Sequence, residues 1–501
     1  MVEKIKKNIG IILLCFIISF IVLLFTSKNS FIYPINDWYD ANAFFTVGKG
    51  IFKGVVPYRD VFEQKGLILY FIYGLGSLIS YKTFYGVFII EVLFFTVTLF
   101  YLGKIVCLFL DKKYNFIILP VMAVMLTTSV GFVHGGACEE FCFPMLVIPL
   151  YYYIYHFKVQ KLSYKQLYLN GLMAGLILMM KYSILGFLFG FMAFIFFDFI
   201  FNEKNIKRAF ISCLFFLLGM ATPVVLCLVY LGINGAIKDF IEQYFIINIT
   251  AYGSTKMSIF VKIFKLIRGF GGAIYGNGLI FVLYLLLPFA IYKLKGNKYF
   301  GFTLFINICL AIMGVYFGLL FYSYYVLPLF IYGIIPLIVI CMYLNKLLKN
   351  GLLFKVVTVM IIITCGCLTY ILANYRYMMF RSKDEFFQYK YTKYIEKFDN
   401  PTLLNYGYLD AGLYTTTGIL PNTKFFELQN IDYDRFPDNI DSMKKNIENK
   451  EVMFVLYYSF KDLDEIMEDD AFIFDNYRLV FGEKVYAEYE YHYAFLFQVK
   501  E

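Results

Sequence analysis

The chain has 501 residues, 60% of them hydrophobic and 21% aromatic, with a mean hydropathy of +0.68 that excludes an ordinary soluble globular protein. Its net charge of +9 is divided: residues 376–501 carry 15 basic and 23 acidic side chains, net −8, which leaves +17 on residues 1–375. The positive charge is scattered among short segments between apolar runs and forms no single stripe, which argues against a nucleic-acid-binding protein.

From the N-terminus, the first apolar run, Ile9 to Phe25, follows Lys4, Lys6 and Lys7. The next residues, Thr26-Ser27-Lys28-Asn29, offer no small-x-small cleavage site, so a retained signal anchor is expected. Further apolar runs of about the length needed to cross a bilayer continue to Leu372. The expected spans are 8–26, 84–108, 115–131, 141–157, 167–181, 184–201, 209–232, 272–292, 299–320, 324–343 and 353–372. Leu67 to Ser80 is apolar but only about 14 residues long, so it is expected to be a juxtamembrane or re-entrant helix. This assignment places six basic clusters on one side: the N-terminus, Asp111–Lys113, Lys158–Lys165, Asn202–Arg208, Lys293–Lys298 and Asn345–Lys355. The positive-inside rule makes that side cytoplasmic, with the N-terminus inside and the C-terminal tail outside.

The expected architecture is a polytopic α-helical membrane protein of the cell membrane, with about 11 transmembrane helices and a small extracytoplasmic α/β domain. Residues 1–375 form the membrane domain, with 27–83 as its first outer loop, and 376–501 form the tail domain. In the tail, Pro401–Gly407 and Val452–Tyr457 have the pattern of buried strands, Leu409–Thr417 that of a helix, and Tyr477–Val499 that of one or two further strands. The tail has no glycine-rich phosphate loop.

Polar residues cluster on the expected outer face. The first loop holds Asp37 and Asp40, the turn Pro57-Tyr58-Arg59-Asp60, and Glu63-Gln64-Lys65-Gly66. A carboxylate at a membrane-adjacent mouth can act as general base toward a hydroxyl, hold a metal, or simply be solvated. Arg59 and Lys65 can neutralise a phosphate or stiffen the loop through internal ion pairs. Glu139 and Glu140 sit between two spans beside His134-Gly135-Gly136, and Lys181 lies within an apolar stretch. Arg268 follows Lys256, Lys262 and Lys265 in the long segment Asn234–Arg268, where it can grip a lipid phosphate. Asn248-Ile249-Thr250 matches a glycosylation acceptor. The ten cysteines lie mostly in apolar runs and lack zinc-ligand spacing.

Asp40, Gly54, Pro57, Tyr58, Asp60, Lys65 and Gly66 together resemble the first loop of the GT-C superfamily of membrane glycosyltransferases. The likeness is to bacterial members related to protein O-mannosyltransferases and the aminoarabinose transferase of lipid A. It continues more weakly through Gly135-Gly136 with Glu139-Glu140, Lys181-Tyr182 and Tyr414–Pro421. The resemblance implies an inverting transferase that takes a sugar from a polyprenyl-phosphate carrier, with a glycan, lipid or protein acceptor. It implies Asp40 as base, and leaves Asp37, Asp60 or Glu140 to supply a second catalytic carboxylate. Lys65, Arg59, Lys181 and Arg268 become candidate ligands of the donor phosphate, and Asp37, Tyr58, Glu139 and Tyr324 candidate substrate contacts. No cofactor is certain; a divalent cation is the one candidate. The pattern departs from the family at Ala41, where several relatives have a second acid, and at Tyr322–Tyr325, where many have a histidine. The rival expectations are a glycan polymerase or ligase of another fold, a lipid-linked-glycan flippase or transporter, and a non-catalytic scaffold. A transporter predicts charges at span centres and an internal repeat, of which the chain has few and none convincing.

Overall fold

The computed structural model describes residues 2–250, 258–294, 299–316, 318–347, 350–487 and 490–500. Lys256, the loop lysines Lys295 and Lys298, and Lys349 therefore lie outside the described residues. The chain forms two compact units, and each draws on distant parts of the sequence. One comprises Met1–Ser27, Ile90–Cys227 and Thr255–Tyr377; the other comprises Lys28–Ile89, Leu228–Ser254 and Met378–Glu501. The first loop thus groups with the tail, although some 290 residues separate them in sequence.

The first unit is helical. Each of the eleven expected spans contains a helix, and six segments among the described residues are long and apolar enough to cross a membrane. These are Ile9–Thr26 of helix α1 (Val2–Thr26), Tyr85–Val106, Tyr182–Phe201, Ile206–Ile233, Ser323–Asn345 and Gly351–Ile371. The chain is a multi-pass membrane protein. Its outermost helix shows the solvent it was built for: Val359, Met360 and Ile363 of Gly351–Ile371 point away from the protein, as suits a helix whose apolar surface meets lipid. Helix contacts inside the unit depend on small residues. A Cβ on Gly171, Gly175 or Gly219 would lie 1.9–2.2 Å from a backbone oxygen of the facing helix, so Tyr164–Leu178 and Ile206–Ile233 pack backbone to backbone.

The expected long loop Asn234–Arg268 is largely helical: Ile237–Phe240, a π-turn Ile241–Ile247, Asn248–Thr250, and a helix Ile259–Tyr275. The sequence signal was amphipathic, with Lys262, Lys265 and Arg268 recurring every third residue on one helical face. Asn248 of the glycosylation triplet donates its side-chain amide to the Gln64 carbonyl at 2.9 Å, which makes it part of the packing.

In the second unit, helix α2 (Tyr39–Ile51) packs on helix α3 (Leu67–Ile79), the short apolar segment set apart from the spans. Gly48 and Gly74 allow the approach, since a Cβ on Gly48 would sit 2.6 Å from the Gly74 nitrogen. The tail builds a four-stranded sheet, order β1-β2-β4-β3, from β1 (Leu403–Tyr406), β2 (Phe454–Ser459), β3 (Tyr477–Ala487) and β4 (Glu490–Val499). β1 and β2 run parallel, and the other pairs are antiparallel. β1 and β2 are buried along their whole length, as their mostly apolar runs foretold. Leu409–Thr417 is helical only over Leu413–Thr417, because Gly412 takes a left-handed φ of 91° and starts the helix late. The core of this unit joins Leu404, Val455, Phe497 and Ile447 of the tail to Phe62 of the first loop and Ile247 of the π-turn.

Candidate functional site

Within the second unit, the acidic residues of the first loop take three different environments. Asp37 pairs with Lys28, and both side chains are buried. Asp60 accepts from its neighbour Arg59 at 2.7 and 2.9 Å and from the Val56 amide at 2.8 Å. Those bonds, led by the Arg59 guanidinium, hold the Asp60 carboxyl below its usual range. Arg59 spends another donor on the Asn234 carbonyl at 2.8 Å. This ion pair stiffens a turn at the surface. Asp40, in the first turn of α2, differs from both: its Oδ2 stands 3.9 Å from Lys65 Nζ, and the two side chains are 20% and 24% exposed. The Lys65 ammonium also lies 5.4 Å above the Phe44 ring.

Lys65 owes its place to a strained turn. Tyr58 adopts a left-handed φ of 72°, a costly conformation for a bulky residue. Three bonds hold it there: its amide donates to the Val61 carbonyl (2.9 Å), its carbonyl accepts from Gln243 Nε2 (2.6 Å), and its hydroxyl donates to the Lys65 carbonyl (2.8 Å). The Tyr70 hydroxyl accepts from the Lys65 amide at 2.9 Å and donates to Glu63 Oε2 at 2.7 Å. Lys65 is therefore gripped through both of its backbone polar groups, while its ammonium faces Asp40.

Behind Asp40 lies a set of buried carboxyls in electrostatic reach of one another: Glu63, Glu427 and Asp410. Burial pushes all three up, Asp410 to about 6, and the neighbouring acids push Glu427 further. Each has dedicated partners. Gln64 N donates to Glu63 at 2.7 Å, Asp410 N to Glu427 at 2.6 Å, and Thr46 Oγ1 to Asp410 at 2.9 Å. Asp40 alone of these four reaches solvent.

The first unit holds the remaining candidates. Glu139 is paired with Lys181, whose ammonium lies 3.5 Å from the centre of the Tyr325 ring and 5.7 Å from that of Tyr324. Glu140 accepts from the Gly136 amide at 2.8 Å and shares its pocket with Glu91. Burial first, and Glu91 second, hold the Glu140 carboxyl well above its ordinary range. Glu91 in turn accepts from Ser27 Oγ at 2.8 Å and from Gly136 N at 3.2 Å. Gly135, at φ 83°, closes the turn so tightly that a Cβ would fall 2.1 Å from Ser27 Oγ. His134 stacks near Tyr375, ring centres 5.3 Å apart. Arg268 and Lys265 are exposed and line a cleft of about 550 Å³ with Gly269, Gly272, Asn277 and Ser323.

The structure thus brings Asp40, Lys65 and Tyr58 together in one unit and Glu139, Lys181 and Tyr324 in the other. It engages Asp37, Arg59 and Asp60 in pairs of their own. Glu91, Lys49, Asp410 and Glu427 escaped the sequence reading. Glu91 carried a usable signal, as the one acidic residue inside the span Tyr85–Val106. Among the described residues no three His, Cys, Asp or Glu side chains gather as metal ligands, and Asp37, Asp40, Asp60 and Glu139 each face a cation. All ten cysteines are free thiols.

No protein-family model matches the chain, and no curated relative matches it by sequence. Among solved structures it is similar to ArnT from Cupriavidus metallidurans, both bound to undecaprenyl phosphate (TM-score 0.55, 11% identity) and in the apo state (TM-score 0.58, 10% identity). Each comparison covers 98% of both chains. Likeness at such low identity is likeness of fold: over nearly its whole length the chain has an ArnT-like fold, in line with the fold that the resemblance of its first loop implied.

Proposed function

We propose that this protein is an inverting glycosyltransferase that moves a sugar from a polyprenyl-phosphate carrier to an acceptor hydroxyl at the outer face of the membrane. The Asp40–Lys65 pair carries the proposal: a base and a cation side by side, both reachable from solvent, in a unit whose neighbouring carboxyls are buried and bonded. The fold shared with a structure bound to undecaprenyl phosphate supports a lipid-phosphate donor. In the proposed step the acceptor oxygen bonds to the anomeric carbon on the side opposite the carrier. The bond from that carbon to the carrier's phosphate oxygen breaks, its electron pair leaves with the phosphate, and the acceptor proton passes to Asp40.

Lys65 is assigned to the charge that grows on the leaving phosphate, where a preorganised cation acts on the transition state. Arg268 and Lys265, at their cleft, are assigned to a lipid phosphate group. Glu139 already neutralises Lys181, and Asp60 neutralises Arg59, so neither cation is retained for that role. The sugar and the acceptor are left at the level of class: a glycan, lipid or protein of the cell envelope.

The test is Asp40→Asn, purified at wild-type abundance and assayed for transfer from a synthetic polyprenyl-phosphate sugar. Turnover is expected to fall by about 10²- to 10⁴-fold. Wild-type turnover in that variant removes the proposed base.

A further inference from the structure

The face of α2 that turns away from Asp40 is polar, and the tail contacts each of its four polar side chains. The Tyr39 hydroxyl lies 3.2 Å from that of Tyr458 and 3.4 Å from His492 Nε2. Asn42 Oδ1 accepts from Thr415 Oγ1 at 2.7 Å, Thr46 Oγ1 donates to Asp410 Oδ2 at 2.9 Å, and Lys49 Nζ donates to the Tyr414 carbonyl at 2.8 Å. At about 100° per residue these four positions fall within an arc of roughly 80°, and Asp40 projects about 160° from Asn42. A second grip acts elsewhere on the helix, where Gly48 meets Gly74 and Phe44 meets Tyr73 with ring centres 5.6 Å apart. Helix α2 is therefore fixed on one side by α3 and on another by residues 410–417, 458 and 492.

Burying a lysine is expensive unless its charge is met. Lys49 is fully enclosed: the Tyr414 carbonyl, the rings of Phe45 and Tyr81, the Asp410 carboxyl and the Lys82 ammonium face it, and Glu427 sits behind Asp410. Such a costly group in a helix of only 13 residues needs a reason beyond helix formation. We infer that Thr46 and Lys49 are positioning residues: through them the tail sets the rotation and height of α2, and so the distance of Asp40 from Lys65. The tail is on this view part of the reacting geometry, not an appended module. The kinetic half of the inference rests on the transferase reading; the structural half does not.

The experiment compares Thr46→Val, which keeps the side-chain shape and loses the bond to Asp410, with Thr46→Ser, which keeps the bond. Lys49→Met and Thr415→Val accompany them, so that a folding failure of the lysine variant leaves the threonine variants to decide. The only tryptophan, Trp38, caps α2 and reports its position without any substrate. In lipid nanodiscs, Thr46→Val, Thr415→Val and Lys49→Met are expected to lower kcat by about tenfold or more at unchanged donor KM, as small misplacements do. Thr46→Ser is expected to restore it. The same variants should shift Trp38 emission and raise its quenching by acrylamide, with Thr46→Ser matching wild type. Wild-type kcat and wild-type Trp38 emission in Thr46→Val and Thr415→Val overturn the inference. If the wild type transfers no sugar at all, the transferase reading fails by itself, and the Trp38 comparison still decides whether the tail positions α2.

Discussion

Two lysine–carboxylate pairs drawn from the sequence motifs, one from each compact unit, are built to opposite plans. Glu139 and Lys181 touch, are 2% and 14% exposed, and have the Tyr325 ring against the ammonium. Asp40 and Lys65 stand 3.9 Å apart and are 20% and 24% exposed. The closed pair is in direct contact and nearly dry, whereas the open pair is looser and can be reached from solvent. Depth decides which is which. A dry pair must satisfy itself, because leaving either charge alone is costly, while a wet pair tolerates separation.

The largest contrast should come from removing the two lysines in parallel. Lys65→Met is expected to lower sugar transfer by about 10²- to 10³-fold, the usual loss when a transition-state donor is removed. Its thermal unfolding in detergent should stay close to wild type. Lys181→Met is expected to do the reverse. Stranding Glu139 should cost about 3–5 kcal/mol of stability, visible as a fall in unfolding temperature and membrane abundance. Equal effects of the two variants on both readouts would break the comparison. Gly48→Ala is expected to cost less, about 1–3 kcal/mol, because the added methyl group meets the Gly74 backbone. If the open pair depends on α2, transfer should fall in that variant more than abundance does.

The last contrast is a pH slope. Burial pushes Lys49 down to about 7 from its ordinary 10.5. Across that interval the unfolded chain holds a proton that the folded chain has lost, so stability rises with pH from about 7 towards 10.5. Unfolding followed by Trp38 fluorescence at several pH values should show this rise, and Lys49→Met should flatten it. An unchanged slope in the variant would mean that Lys49 does not titrate there.

The membrane helices were legible because lipid demands long uninterrupted apolar runs, and the length rule kept Leu67–Ile79 apart from the spans. The tail strands were legible for a similar reason, since β1 and β2 are short, mostly apolar runs bounded by polar and turn residues. Asp40 and Lys65 stood out because charge is rare beside such sequence. Lys49 and Glu91 were as rare in their surroundings but stood alone, without a motif around them. The partners that give them meaning are far away: Asp410 and Tyr414 lie more than 350 residues from Lys49, and Gly136 lies 45 residues from Glu91. Ile259–Tyr275 was obscured for another reason. Its glycines at 269, 271 and 272 look like loop punctuation, yet Gly269 and Gly272 line the cleft beside Arg268.

The grouping of the first loop with the tail also bears on biogenesis. A ribosome delivers Asp40 long before β4, so this unit lacks a sheet partner until the tail has been made. Until then α2 has no Tyr414, Asp410 or His492 to rest against. A polypeptide arrested between Ile371 and Leu403 would carry the described membrane helices and still lack the partners that hold α2.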